Sequence, residues 1–176
     1  MKNIVLIGMP GTGKSTVGKA LAERFGYDFV DADDLIVQTT GKTLPEILRQ
    51  DGLEAFYEIE NKVGTDLNRT HTVIATGGSM VLYPEAMAHL KEGSTVIWLQ
   101  TPFSQLEKRM PADLYDRGIA VPAGTPLREI YEERCVLYAR YADLIVVSQD
   151  GESDTARLVE DVTVSYTHLR AHETSA

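Results

Sequence analysis

The sequence predicts an α/β fold in which a parallel β-sheet carries helices on both faces. Short apolar, β-branched runs recur along the chain, and the stretches between them have helical spacing, an alternation that is typical of parallel sheets. A glycine-rich loop lies between the first run and a helix, which is where α/β domains bind phosphates. The chain of 176 residues is long enough for one domain with a real core.

The elements follow one another in a regular order. Five strands are predicted, at residues 4–7, 27–31, 72–75, 95–99 and 144–147. Helices are expected at 17–22, from Leu35 onward, and at 127–140 and 154–162. A stripe of apolar residues at helical spacing, Leu53, Phe56, Val63 and Leu67, indicates a further helix that packs on the core.

Two segments depart from this alternation. Residues 111–126 are rich in Asp, Gly, Pro and Ala without clear periodicity, and a loop of that length in a compact domain is commonly a lid. The string SYTHLRAHET, which starts at Ser165, resembles a translated sequencing adapter. We therefore predict a single domain over residues 1–163, with a lid at about 111–126 and a non-native tail at 164–176.

Composition narrows the choice of partners. The formal net charge of -9 would repel a phosphate backbone, and Lys and Arg are scattered, so nucleic acid is not expected. No apolar run approaches the roughly 20 residues of a membrane span, and no secretory signal is visible at the start. We expect a monomer in the cytoplasm that acts on a small molecule, and we assign no chemistry to the single cysteine, Cys135.

The stretch GMPGTGKST, residues 8–16, fits the Walker A pattern and has a strand before it and a helix after it. Its glycines let backbone N–H groups surround phosphates, Lys14 reaches the β- and γ-phosphates, and the Ser15 hydroxyl binds magnesium. A glycine turn that only starts a helix would need neither the lysine nor the hydroxyl. The loop therefore predicts ATP and Mg²⁺ as cofactors, bound by residues Gly11, Thr12, Gly13, Lys14, Ser15 and Thr16.

The phosphate acceptor of such a protein is water, a nucleotide or a small alcohol, and two further segments bear on the choice. Asp31 and Asp33 follow the second strand, and alternate residues of an extended segment point the same way. One carboxylate can orient a magnesium-bound water while the other accepts the proton of an acceptor hydroxyl. A simpler interpretation, that one of Asp31, Asp33 and Asp34 caps the next helix, stays open. Gly77 and Gly78 follow the third strand and leave backbone N–H groups accessible.

Several motifs in series resemble the shikimate kinase family. They are GMPGTGKST, FVDADDLI, VIATGG, the loop that contains Arg117, and EERCVLYARYAD, and together they extend from residue 1 to about 162. The resemblance implies a P-loop NTPase fold of the nucleoside-monophosphate-kinase type. It also implies transfer of the γ-phosphate of ATP to the 3-hydroxyl of shikimate, a step of aromatic amino acid biosynthesis.

The resemblance also implies roles for individual residues. Lys14 and Ser15 match the phosphate and magnesium positions, Asp31 matches the magnesium-linked carboxylate, and Asp33 matches the carboxylate that binds the shikimate hydroxyls. The remaining matches are a backbone clamp at Gly77 and Gly78, a lid arginine that closes over the phosphates at Arg117, an arginine against adenine at Arg109, and an arginine that grips the shikimate carboxylate at Arg134. Lys14, Asp33 and Arg117 are the predicted catalytic residues.

Three departures from the family pattern fall on the acceptor site and the lid. Tyr57 stands where the family has a second carboxylate-binding arginine, Ser79 replaces the third glycine of TGGG, and residues 118–120 read Gly-Ile-Ala instead of Pro-Leu-Leu. A phenol offers one neutral donor where a guanidinium offers a charged fork, so Arg134 would be the one cationic contact, with Glu60 as its expected partner. A kinase for another small hydroxylated metabolite and a nucleotide-binding regulator without transfer activity are therefore alternatives.

Overall fold

The structure is a computed structural model that describes residues 3–148 and 154–174. Parallel strands form one sheet in the order β2-β3-β1-β4-β5. The strands are β1 Asn3–Ile7, β2 Asp28–Asp31, β3 Thr72–Ala75, β4 Ser94–Gln100 and β5 Leu144–Val147. All five predicted strands are confirmed. Because β1 is the central strand, the loop that follows it lies in the middle of the carboxyl edge of the sheet.

Helices connect the strands, as the alternating pattern predicted. They are α1 Lys14–Phe25, α2 Ala32–Thr40, α3 Leu44–Glu46, α4 Leu53–Asp66, α5 Pro84–Lys91, α6 Phe103–Arg109, α7 Leu127–Tyr141 and α8 Asp154–Thr174. A π-helical turn lies at Ile47–Asp51, and 3₁₀ turns lie at Met80–Leu82 and Leu114–Arg117. No helix within the described ranges is long and apolar enough to cross a membrane.

The two faces of β1 are buried under different helices. Ile4 and Leu6 belong to a core cluster with residues of α1 and α8, whereas Val5 and Ile7 belong to a cluster with residues of α5 and α7. All four side chains have 0% exposure, as expected for a parallel strand that is covered on both faces. The prediction of helices on both sides of the sheet is confirmed.

The helix after β2 begins earlier than predicted, at Ala32 instead of Leu35. The side chain of Asp31 caps it by accepting a hydrogen bond of 2.8 Å from the backbone N–H of Asp33. Asp33 therefore lies in the first helical turn, and the extended-strand argument for its direction was wrong. Among the three aspartates considered, Asp31 is the N-cap.

A third core cluster joins α2, the π-helical turn, α4 and the predicted lid. Phe56 of α4 is buried there with Ile36, Ile47, Leu48 and Ala120. The other members of the predicted stripe also pack on core clusters, namely Leu53 on this one and Val63 and Leu67 on the cluster of α5 and α7. Core packing of the stripe is confirmed.

The predicted lid, residues 111–126, is folded over the carboxyl edge of the sheet. It contains one 3₁₀ turn, Leu114–Arg117, followed by a buried run, Ile119, Ala120 and Val121, each 3% exposed. In addition to this buried run, the exposed guanidinium of Arg49 forms ion pairs with Asp113 and Asp116 of the lid. Exposed pairs of this kind contribute little, so the apolar run contributes more than they do to holding the lid.

The closing helix α8 runs past its predicted end at residue 162 and reaches Thr174. It thereby includes most of the predicted non-native tail, of which residues 175–176 lie outside the described part. Tyr166 is 4% exposed, and its ring meets the edge of Phe25 at 5.4 Å between centroids. The packing of Tyr166 does not bear on the origin of the tail, and its non-native character stays a prediction.

The packing of Tyr166 predicts the effect of a truncation. A chain that ends at Val164 should lose about 2 kcal/mol of unfolding free energy, because one largely buried aromatic side chain no longer covers Phe25. Urea unfolding of the truncated and full-length chains measures this loss. Tyr166→Ala in the full-length chain is the matched variant and should reproduce most of it. Equal stability of all three proteins would contradict the packing.

Candidate active site

A cavity of about 280 Å³ opens at the carboxyl edge of the sheet, beside the end of β1. Most of the predicted site residues line it, namely Gly11, Gly13, Lys14, Ser15, Thr16, Asp33, Gly77, Gly78, Arg117 and Arg134. Glu60 and Ser79 also line it, although neither was predicted to be a site residue. Residues far apart in the sequence, from 10 to 134, therefore meet at one cavity, which lies where open α/β sheets bind ligands.

The phosphate-binding loop depends on glycine where the backbone turns. Gly8, Gly11 and Gly13 have φ values of 150°, 83° and 85°, a range that L side chains rarely adopt. A Cβ on Gly8 would lie 2.6 Å from the carbonyl oxygen of Leu99, so β4 also excludes a side chain there. Thr12 is buried, and its hydroxyl oxygen has no hydrogen-bond partner among the described residues.

Lys14 is folded back into the phosphate-binding loop. Its Nζ donates hydrogen bonds of 2.7 and 2.8 Å to the backbone carbonyls of Gly8 and Met9. Burial lowers the pKa of Lys14 to about 8, while the negative charges of Asp33 and Asp31 act in the opposite direction. A lysine in this state is poised to exchange its carbonyl partners for phosphate oxygens.

Ser15 and Asp31, the two residues predicted to hold magnesium, are in direct contact. The Ser15 hydroxyl donates a hydrogen bond to Oδ2 of Asp31, while Oδ1 of the same carboxylate caps α2. A hydroxyl and a carboxylate are the oxygen ligands that Mg²⁺ prefers, usually together with water and substrate phosphates. Ser15 and Asp31 therefore offer donors of the kind that Mg²⁺ prefers, and the described residues hold no group of three or more His, Cys, Asp and Glu that could bind a metal.

Two carboxyl groups, Asp33 and Glu60, flank Gly77. A Cβ on Gly77 would lie 2.6 Å from Oε2 of Glu60 and 2.8 Å from Oδ1 of Asp33, so a side chain at this position would displace both. Burial, reinforced by the charges of Glu60 and Asp31, raises the pKa of Asp33 to about 7. Asp33 is therefore a stronger base than an exposed aspartate.

Gly78 serves the packing of neighbouring segments. A Cβ on Gly78 would lie 2.6 Å from Cδ of Pro10 in the phosphate-binding loop. Its carbonyl accepts a hydrogen bond of 2.7 Å from the hydroxyl of Tyr138, a fully buried residue of α7. The paired glycines thus hold β3, the phosphate-binding loop and α7 close together, and the backbone clamp implied by the family resemblance stays a prediction.

Glu60 is the main site residue that the sequence reasoning missed. It is 1% exposed, and its Oε1 accepts hydrogen bonds from the hydroxyls of Ser79 and, at 2.8 Å, Tyr83. The expected ion pair with Arg134 is absent from the described residues, because these neutral donors occupy Oε1 and Arg134 binds elsewhere. One signal was present in the sequence: Glu60 follows Phe56 by four residues, so it continues the buried face of α4.

Arg134 is 4% exposed and makes its hydrogen bond to the lid. Its Nη2 donates to the carbonyl oxygen of Ala120 at 2.7 Å, while Nη1 has no partner among the described residues. The Tyr57 hydroxyl is 3.4 Å from the same carbonyl, and its ring packs on Tyr83. Tyr57 does not line the cavity, unlike the other residues predicted to bind substrate.

The two arginines predicted near the nucleotide are exposed and contact backbone. Arg109, at the end of α6, donates a hydrogen bond of 2.9 Å to the carbonyl of Gly11. Arg117 donates one of 3.1 Å to the carbonyl of Arg109 and lines the cavity. The lid and α6 therefore join the phosphate-binding loop through these two guanidinium groups.

Comparisons with known proteins agree with this geometry. The family model described as shikimate kinase matches residues 10–164. Among curated relatives, the shikimate kinase of Synechococcus elongatus is 39% identical over 163 residues, covering 90% of this chain and 85% of its own. That of Synechococcus sp. strain RCC307 is 41% identical over 162 residues, covering 89% and 82%.

Solved structures show the same likeness. A shikimate kinase from Acinetobacter baumannii in complex with shikimate superposes with a TM-score of 0.85 at 29% identity, covering 96% of this chain and 94% of that one. The shikimate kinase from Aquifex aeolicus has a TM-score of 0.77 at 30% identity, covering 94% and 96%. The predicted family and fold are confirmed, and the chain belongs to the shikimate kinase family.

Proposed function

We propose that the cavity at the carboxyl edge carries the reaction of this family, in which the γ-phosphate of ATP passes to the 3-hydroxyl of shikimate. One observation carries the assignment of roles: Lys14 of the phosphate-binding loop, Asp33 and Arg134 line the same cavity. A phosphate-binding cation, a carboxyl base and a carboxylate-binding guanidinium are the three groups that a phosphoryl transfer to a hydroxy acid needs.

The donor half holds the nucleotide through the loop at residues 8–16. Backbone N–H groups at the start of α1 point toward the phosphates, and Lys14 turns from the carbonyls of Gly8 and Met9 to the transferred phosphate. Ser15 and Asp31 would hold Mg²⁺, which would neutralise phosphate charge when it is bound. Arg117 would contribute positive charge from the lid, and Arg109 would lie against the adenine.

The acceptor half deprotonates and orients the hydroxyl. Asp33 accepts the proton of the 3-hydroxyl as its oxygen attacks the phosphorus, and desolvation makes this carboxylate a stronger base. The backbone N–H groups of Gly77 and Gly78, which no side chain of their own shields, would contact the acceptor, and Nη1 of Arg134 would bind its carboxylate. Direct transfer needs water to be excluded, which the buried run of the lid would achieve.

Tyr57 favours a second candidate, a kinase of the same fold with another small hydroxylated acceptor. A neutral phenol that contacts the lid carbonyl contributes no charge to the anion end of the cavity. A regulator without transfer activity is less well supported, because Lys14, Asp33 and Arg117 all line the cavity. The cytoplasmic location, the monomeric state and the absence of a nucleic-acid partner stay predictions from the sequence.

Removing the loop lysine tests the donor half. Lys14→Ala should reduce transfer by at least about a hundredfold, because the transition-state charge on the phosphate loses its cation. Lys19→Ala is the matched control, since Lys19 lies on the same helix and is exposed, and it should retain activity. A coupled assay of ADP release measures both variants. Transfer by Lys14→Ala at the wild-type rate would refute the assignment.

The acceptor half is tested at position 57. Tyr57→Arg should lower the KM for shikimate by about tenfold, the scale of one charge-assisted hydrogen bond, and leave the KM for ATP nearly unchanged. Tyr57→Phe should change neither, because the hydroxyl makes only a long hydrogen bond of 3.4 Å.

Steady-state kinetics on shikimate decide between the two acceptors. No gain in Tyr57→Arg, or a loss caused by an unpaired charge near Arg134, would favour the second acceptor. No measurable phosphorylation by wild type or variant would exclude shikimate.

The lid is tested by hydrogen exchange. Amides of residues 111–126 should exchange quickly in the free protein and slow by about tenfold or more when an unreactive ATP analogue and shikimate are both bound. The physical reason is that exposed ion pairs, a short apolar run and one hydrogen bond from Arg134 hold the lid in the free protein, whereas bound ligands add contacts at Arg117. Amides of β1 and β4 provide the internal control. Equal protection of the lid with and without ligands would count against closure.

A further inference from the structure

The side chain of Arg117 is only weakly held by its own contacts. It is exposed, and its Nη1 donates a hydrogen bond of 3.1 Å to the carbonyl of Arg109. One hydrogen bond does not offset the entropy that a long arginine side chain loses when it is fixed. The placement of this guanidinium at the cavity therefore depends on what holds the backbone on either side of Arg117.

The residue after Arg117 is a glycine that rests on a neighbouring helix. Gly118 has a φ of 69°, a left-handed conformation that caps the 3₁₀ turn of the lid. A Cβ at this position would lie 2.5 Å from the Cβ of Leu44 in α3. Proline, which the family pattern has here, could not adopt this conformation, because its ring fixes φ at about −65°. The lid of this chain therefore turns at Gly118 in a way that excludes a side chain.

The residue before Arg117 is bound by the same part of the chain. Nη2 of Arg49 donates hydrogen bonds to Asp116 and, at 3.2 Å, to Asp113. Arg49 lies in the π-helical turn that follows α3 directly. Residues 44–49 thus form a docking segment that contacts the lid on both sides of Arg117.

Both partners of this contact are ordered by bonds and packing of their own. Ile47 and Leu48 of the docking segment are buried in the third core cluster with Phe56 of α4. On the lid side, the backbone N–H of Gly118 donates a hydrogen bond of 2.9 Å to the carbonyl of Tyr115. A closely packed contact between two ordered segments transmits the position of one to the other.

We propose that Gly118 is a positioning residue for Arg117, and that the docking segment holds the lid turn so that this arginine lies at the cavity. Arg117 and Gly118 both line that cavity. The inference rests on the proposed function, in which Arg117 supplies positive charge to the transferred phosphate, and it adds the residues that direct this charge. Because such a charge acts mainly on the transition state, displacement of the lid turn should lower kcat and change KM little.

Two lid glycines with similar backbone conformations separate docking from strain. Gly118→Ala places a Cβ against Leu44, whereas Gly124, with a φ of 81°, has no neighbour among the described residues within 4 Å of its Cβ position. Gly118→Ala should lower kcat with shikimate at least about tenfold, with both KM values within about twofold of wild type. Gly124→Ala is the matched control and should retain kcat. An equal loss in both variants would overturn the proposal, because strain alone would explain it.

A double-mutant cycle measures whether Gly118 acts through Arg117. Arg117→Ala should lower kcat, and Gly118→Ala should lower it no further in the Arg117→Ala background, because the group to be positioned is gone. A loss of the same factor in both backgrounds would overturn the proposal, since Gly118 would then act through folding or through another contact.

The other side of the docking segment is tested at Arg49. Arg49→Gln should lower kcat by about twofold to fivefold at low salt, the scale of an exposed ion pair, and high salt should reduce the difference. Arg24→Gln is the matched control, because Arg24 forms an equally exposed ion pair with Glu160 that joins α1 to α8. An unchanged kcat in Arg49→Gln at low salt would remove this side of the docking contact.

The outcomes separate the two levels of the proposal. Wild type that phosphorylates shikimate, with an unchanged kcat in Gly118→Ala, would overturn the positioning role and leave the function intact. A wild-type kcat in Arg117→Ala would remove the lid arginine from the mechanism, and this inference with it, but not the roles of Lys14 and Asp33. Wild type that does not phosphorylate shikimate would overturn the proposed function and the positioning role together.

Discussion

The buried charge of Lys14 is the constraint on which the rest of the site depends. The ammonium group of a lysine residue that is 8% exposed needs both hydrogen-bond acceptors and opposite charge, because desolvation is costly. The carbonyls of Gly8 and Met9 supply the first. Asp31 and Asp33 supply the second, which requires the end of β2 to lie near the loop after β1. The sheet order, with β3 between these two strands, places both strand ends on the same edge.

At the acceptor end of the cavity, the charges that need compensation are negative instead of positive. Glu60 is buried and Asp33 is half-buried beside the same cavity. The guanidinium of Arg134 binds the lid through Nη2, while its Nη1 has no partner among the described residues. Because Nη2 binds the carbonyl of Ala120, lid position and guanidinium position are linked. Tyr57 contacts the same carbonyl, so a residue at the expected place of an anion-binding arginine instead supports the lid.

Local patterns were sufficient to predict most of the fold and the position of the phosphate-binding loop after β1. Each strand, and the loop at residues 8–16, is one continuous segment with a strong periodicity or a distinctive composition, so it can be predicted without knowledge of the tertiary structure. The predicted start of α2 was too late. Asp31 and Asp33 were interpreted as two residues of an extended segment, whereas the side chain of Asp31 caps a helix that begins at Ala32. The contacts Ser79–Glu60 and Arg134–Ala120 join residues 19 and 14 positions apart, and their existence depends on how α4 and α7 pack, which no local pattern records.

These constraints bear on how the site distinguishes acceptors. Among the described residues, Nη1 of Arg134 is a buried donor without a partner, so a ligand that offers it a hydrogen-bond acceptor stabilises the site. A ligand that lacks such a group leaves Nη1 desolvated and unpaired, and sites built in this way discriminate far more strongly than apolar pockets do. Tyr57 in place of an arginine therefore does not make the acceptor site permissive, because Arg134 still requires a complementary group.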